Sequence, residues 1–177
     1  MTTPPATAPT VGSTLELWRA APADPTAGWR LVEDRVMGGV SRGTLAATQR
    51  DGAACACMSG EVRLENNGGF LQILRDLPAA YRDASALHGV LLEVAGNDDS
   101  YGLHLKTGDV NRPWQSYRAT FEATPEWSTV LVPFSLFRAH RLSAPFDLTD
   151  LRRLALVAIG RAFHAEVCVR RVAFYHA

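Results

Sequence analysis

The sequence predicts an all-β fold, a sandwich or barrel of short antiparallel strands. Apolar and polar residues alternate over many short stretches, the period of half-buried strands. Gly, Pro, Asn and Asp punctuate these stretches at near-regular spacing. No long segment holds a 3.6-residue apolar period, which disfavours an α/β layer fold. The 177 residues are 47% hydrophobic and 20% charged, ordinary for one globular domain with a sizeable core.

Residues 1–13 are rich in Pro, Thr and Ala and carry no charged side chain, so they read as a flexible N-terminal tail. The remainder, 14–177, reads as a single domain without internal repeats. Residues 14–18 open it as a first strand, followed by a Pro/Ala/Asp loop and Trp29. Residues 43–49 and 53–59 form two strands around Asp51-Gly52, a strong hairpin signal. In 61–65, Val62 and Leu64 alternate with Glu61, Arg63 and Glu65, which predicts a separate half-buried strand. Strand 70–74 follows. Residues 77–86 read as a short helix or an irregular connection.

The apolar run 87–95 suits a central strand. After the Asn97-Asp98-Asp99 turn, Tyr101, Leu103 and Leu105 face one side and Gly102, His104 and Lys106 the other. In 115–122, Tyr117, Ala119 and Phe121 share the apolar face opposite Arg118, Thr120 and Glu122. Strand 127–132 ends at Pro133. Residues 147–151 read as a turn with a brief helix. The apolar run 154–159 and the stretch 165–175 complete the strands.

With a formal net charge of +0, no bulk field draws the chain to nucleic acid or to an anionic membrane. No apolar run approaches the length of a transmembrane helix. The positive charge is almost all arginine, Lys106 being the only lysine. Arginine suits planar, bidentate contacts to carboxylates, which keeps a protein or anion partner open. Of the three cysteines, Cys55 and Cys57 share one strand face and Cys168 stands far away. An odd number argues against a disulfide framework, and no second Cys/His pair stands at ligand spacing. They read as small apolar fillers in a reducing compartment, without a metal. The start of the sequence lacks the features of a secretory signal or an import presequence.

Two similar stretches organise the chain. Asp34-Arg35-Val36-Met37-Gly38-Gly39-Val40-Ser41 is followed by Leu64-Glu65-Asn66-Asn67-Gly68-Gly69-Phe70. Each sets polar side chains before a Gly-Gly pair. Gly38, Gly39, Gly68 and Gly69 mark tight bends that allow φ > 0 or a close backbone approach. Asp34, Arg35, Asn66 and Asn67 have two open roles. They fix the loops, through an Asp–Arg pair and Asn-to-backbone bonds, or they contact a ligand or partner.

These two stretches resemble the most distinctive motifs of the complex I intermediate-associated protein family. A third likeness lies in Arg112-Pro113-Trp114-Gln115-Ser116-Tyr117-Arg118, with Trp127 and Val132-Pro133-Phe134-Ser135-Leu136-Phe137. The resemblance spans Trp29 to Tyr175. It implies a galactose-binding-like, jelly-roll β-sandwich and a non-enzymatic role. It further implies an assembly factor or chaperone-like protein that binds a client protein, such as a complex I subunit or assembly intermediate. The alternative on that fold is a carbohydrate-binding module. After Phe70 this chain runs Leu71-Gln72-Ile73-Leu74-Arg75, where the family often has a small residue and an arginine. The missing presequence leads to the expectation of a bacterial, cytoplasmic protein rather than one of the mitochondrial matrix.

Gly38-Gly39-Val40-Ser41 lacks the Gly-Lys-Ser/Thr of a phosphate loop, and Ser41 lacks the Gly-x-Ser-x-Gly setting of an esterase nucleophile. No nucleophile–base pair stands out, and the five histidines lack helical metal-ligand spacing, so no enzyme and no cofactor is expected. Arg112, Trp114 and Arg118 form the expected contact patch. An aromatic ring between arginines is enriched at interface hot spots. Trp114 is expected exposed in a turn, and Tyr117 buried.

Overall fold

The computed structural model describes residues 11–177 and consists of two antiparallel sheets packed face to face. The first contains β3 (Arg42–Arg50), β4 (Ala53–Val62), β12 (Phe163–Tyr175), β6 (Gly89–Gly96) and β9 (Ser128–Pro133), in that order. β1 (Thr14–Arg19) pairs with the last third of β12, beyond the point where β4 leaves it. The second sheet runs β10 (Arg138–His140), β8 (Ser116–Ala123), β7 (Asp99–Thr107), β11 (Leu151–Ile159), β5 (Phe70–Asp76), β2 (Arg30–Glu33).

Alternation explains the layers. Met58, Leu92, Val94, Val167, Val169 and Phe174 of the first sheet meet Leu71, Ile73, Leu103, Leu105, Leu154 and Leu156 of the second in one core. Tyr101 shows why a polar atom is tolerated there: its hydroxyl donates to Asn97 Oδ1 at 2.6 Å and accepts from the Glu166 N–H at 2.8 Å. Tyr117 is 1% exposed and bonds Ala144 O at 2.6 Å. The fold is thus the all-β jelly-roll sandwich that the strand pattern and the motifs imply.

Two local expectations are corrected, a third is narrowed to one of its alternatives, and a fourth lies mainly outside the described residues. Residues 61–65 are not a separate strand: β4 continues to Val62, and a short 3-10 turn occupies Glu65–Asn67. Residues 147–151 form no helix, because the Asp147 carboxylate accepts the N–H and hydroxyl of Thr149 and caps a bare turn. The stretch 77–86 is irregular around a 3-10 turn at Ala79–Tyr81. The tail expected over 1–13 lies mainly outside the described residues. Its end at 11–13 is tied down, with Gly12 N–H donating to His176 O and Ser13 O accepting from His176 N–H.

The cysteines also differ from expectation. Cys57 and Cys168 face each other across β4 and β12 and are disulfide-bonded. Their separation of 111 residues hides the pairing from any local reading of spacing. Cys55 stays a free, fully buried thiol with its sulfur 3.7 Å from Cys57 Sγ. Two of these three sulfurs are spent on each other, so the trio offers no set of thiolates to a metal while the bond is intact.

Candidate functional site

The two Gly-Gly stretches meet, and Asp34 is the knot. A 3-10 turn over Asp34–Met37 carries its carboxylate inward, where it is fully buried. It accepts the Ser41 hydroxyl at 2.5 Å, the Ser41 N–H at 3.0 Å, the Gly69 N–H at 2.6 Å and the Phe70 N–H at 3.3 Å. Burial opposes the charge, but these donors together outweigh it and hold the carboxyl below its ordinary value. The glycines make room for it. A Cβ on Gly39 would lie 2.4 Å from Asp34 Cγ, and one on Gly68 2.6 Å from Asp34 Oδ2. Gly38 ends the turn in the left-handed region at φ 85°.

Ser41 is equally buried, accepts the Arg63 N–H at 2.9 Å and has no base beside it other than Asp34, which has no free face. The expected Asp34–Arg35 pair does not form: Arg35 is exposed and faces Glu33 at 3.9 Å. Asn66 takes the left-handed conformation at φ 59° and donates to Gly38 O at 3.2 Å, the Asn-to-backbone bond that fixes the loops. Asn67, at φ 57°, is exposed. Around this knot Val36, Met37 and Leu64 are left at the surface, an apolar rim that composition did not signal. Arg35 and Val36 border a pocket of about 390 Å³.

The second group of expected site residues lies elsewhere. Arg112 and Trp114 sit in the β7–β8 turn, Arg118 on β8. Two strands, β7 and β11, separate β8 from β5, at whose start the Gly-Gly knot stands. Trp114 is 49% exposed, the one exposed Trp, Tyr or Phe among the described residues. Arg118 is half-buried on the outer face of the second sheet, donating to Ser116 Oγ at 2.8 Å and Trp114 O at 3.4 Å.

That outer face also holds residues the motifs did not single out. Pairing aligns Arg138, Arg118, His104, Ala155, Leu74 and Arg30 in one row across all six strands. Lys106, Arg153 and Asp76 align in the next row. His104 is 8% exposed and lies over Gly102, where a Cβ would meet its Nε2 at 2.7 Å. Burial first, then the charges of Arg118, His140 and Lys106, push its pKa down to about 3, so it is neutral. Beside this row, Lys106, Arg112, Arg152, Arg153 and Asp76 line a pocket of about 440 Å³. The alternation of 101–106 foretold which side His104 and Lys106 take, but their neighbours on β5 and β11 come from register alone.

The sequence profile of the Complex I intermediate-associated protein 30 (CIA30) family matches residues 18–165. No curated protein sequence matches the chain. The fold is similar to a family 11 carbohydrate-binding module from Clostridium thermocellum in complex with a β-1,3-1,4-mixed-linked tetrasaccharide. That likeness has a TM-score of 0.72 at 12% identity, over 93% of this chain and 95% of that one. A family 11 module of the cellulosomal cellulase Lic26A-Cel5E of the same organism gives 0.71 at 13% identity, over 96% and 97%. A family 30 module of its cellulase Cel9D-Cel44B gives 0.63 at 12%, over 93% and 98%. Among the described residues no helix is long and apolar enough to cross a membrane.

Proposed function

The chain belongs to the complex I intermediate-associated protein 30 family, and from that membership we propose that it is a non-enzymatic, chaperone-like assembly factor. Its client is a protein, with a complex I subunit or assembly intermediate first in line. The observation that carries the reading is Trp114, a large ring held in solvent beside Pro113 with Arg112 and Arg118 as neighbours. A rigid aromatic flanked by arginines is the anchor type that dominates protein interfaces. The buried Asp34–Ser41 knot supports the non-enzymatic reading. Its carboxylate and hydroxyl are spent on loop backbone and face no cleft.

The carbohydrate-binding alternative draws on what the structural neighbours bind, at identities that speak for the fold alone. Sugar recognition on a sheet face uses aromatic platforms, and the rows described above place arginines, a lysine and a histidine there instead.

Trp114→Ala is expected to cost about 2 kcal/mol of client binding, roughly thirtyfold in affinity. The melting temperature stays within a few degrees of wild type, because the ring packs against no core. Affinity capture from the native host, followed by titration of the recovered client, checks this. Undiminished capture by the folded variant would place the interface elsewhere, with the apolar rim of Val36, Met37 and Leu64 next in line. Retention on a mixed-linkage β-glucan column, with no protein client recovered, would favour the sugar reading.

A further inference from the structure

The outer face of the second sheet carries far more positive charge than it can neutralise. Arg30, Lys106, Arg118, Arg138 and Arg153 stand on it, in a chain whose formal net charge is +0. Asp76 lies among them, but Arg30 and Arg153 already share it at 3.2 and 2.8 Å. Glu122 stands at the far end of β8. At the pocket rim Asp150 is taken by Arg152. The remaining cations find only neutral oxygens. Lys106 Nζ donates to Pro113 O at 2.8 Å, Arg118 to Ser116 Oγ and Trp114 O, and Arg138 to Ser135 O and Phe137 O. None of these three makes an ion pair among the described residues.

Lys106 and Arg118 are also half-buried. Burial, then the like charges around them, holds both below their ordinary pKa. Partly desolvated cations that repel each other cost stability unless an anion joins them. Between the cations the face is apolar: Leu74, Ala155 and Val157 are buried there with Phe70 and Val32 packed against them. A strip of this kind, cations beside aliphatic side chains on a sheet, suits a chain in which acidic and apolar side chains mix.

We propose that this face is the docking surface for an acidic, Asp/Glu-rich segment of the client protein. Its carboxylates pair with Lys106, Arg118 and Arg112, and its apolar side chains lie on Leu74, Ala155 and Val157. The proposal deepens the protein-binding reading and rests on it. Trp114 stands at the border of the same surface, where its backbone carbonyl accepts from Arg118. It also selects among clients: a basic segment is rejected by the same charges.

The test uses the full chain and fluorescein-labelled peptides of alternating Asp and Val, Asn and Val, or Lys and Val. Anisotropy is expected to show binding of the Asp peptide alone, weakened roughly tenfold or more from about 0.05 M to about 0.5 M salt. Lys106→Glu with Arg118→Glu abolishes it. The milder Lys106→Gln with Arg118→Gln weakens it at least about tenfold while circular dichroism stays that of the wild type. Arg42→Glu, an exposed charge on the opposite sheet, leaves it unchanged. Equal binding of the Asp and Asn peptides, or indifference to the glutamine pair, overturns the proposal. So does an oligogalacturonate that binds more tightly than the Asp peptide, since the face would then suit an anionic glycan. Capture of the native client separates the two levels. A client retained by the glutamine pair but lost with Trp114→Ala sinks the acidic-segment proposal alone, whereas a wild-type protein that captures no client sinks the protein-binding reading beneath it.

Discussion

Asp34 shows how one buried charge can dictate the residues around it. A carboxylate without water needs its lone pairs filled, and four donors from Ser41, Gly69 and Phe70 fill them. Those donors come close only because Gly39 and Gly68 have no side chain. Gly39→Val therefore drives a branched side chain into the carboxylate and is expected to cost about 3 kcal/mol or more. Gly69→Val adds strain at φ 128°, with the flexible Leu64 as its nearest obstacle. Ser41→Ala removes one hydroxyl and costs less, about 1–2 kcal/mol. Urea midpoints check the ranking, and a soluble Gly39→Val protein with a wild-type midpoint would refute it. The pH dependence follows from the lowered carboxyl. The contribution of Asp34 is complete above the ordinary carboxylate pKa of about 3.9 and drains away as pH falls through the lower folded value.

At the scale of the strand, alternation made most of the sandwich legible. The β7 and β8 faces follow from 101–106 and 115–122, and Trp114 and Tyr117 fall on the expected sides of the surface. What escaped was short or cooperative. β2 and β10, of 4 and 3 residues, are edge strands, each held by one interior partner rather than by any pattern of its own. The Gly-Gly motifs advertised a pair of bends, but that Asp34 turns inward while Arg35 turns out depends on the other loop. The cationic face is assembled from strands far apart in the chain, so only register reveals it. His104 on β7 gives the prediction at this scale. The folded protein holds it neutral with a pKa of about 3, against about 6.5 when unfolded. Its share of stability is therefore complete above about pH 6.5 and declines by up to about 1.4 kcal/mol for each pH unit below that. Unfolding free energies from urea titrations at pH 7 and pH 5 should differ by about 2 kcal/mol more in wild type than in His104→Gln. Parallel pH curves for the two proteins would show that the ring is not held neutral.

For the whole molecule, the Cys57–Cys168 bond ties β4 to β12 across 111 residues. Closing so long a loop removes about 4–5 kcal/mol of unfolded-chain entropy in the simplest account. Reduction, or Cys168→Ala, is expected to lower the melting temperature by about 10 °C. Thiol titration of the unreduced, denatured protein should find the single thiol of Cys55. Three titrating thiols would show that the bond is not formed in solution.

β12 touches β1, β4 and β6, yet it follows all of them in the chain; β11, which joins β7 to β5, comes just before it. On the ribosome this order matters. Neighbours in sequence, β3 with β4 and β7 with β8, can zip into hairpins as they emerge. Those hairpins then wait with open edges until the two keystone strands are translated, and only at that point can either sheet close. A sandwich whose closing strands come last in its own order stays incomplete until both have left the ribosome. While it waits, it exposes unpaired strand edges of the kind that another chain can add to.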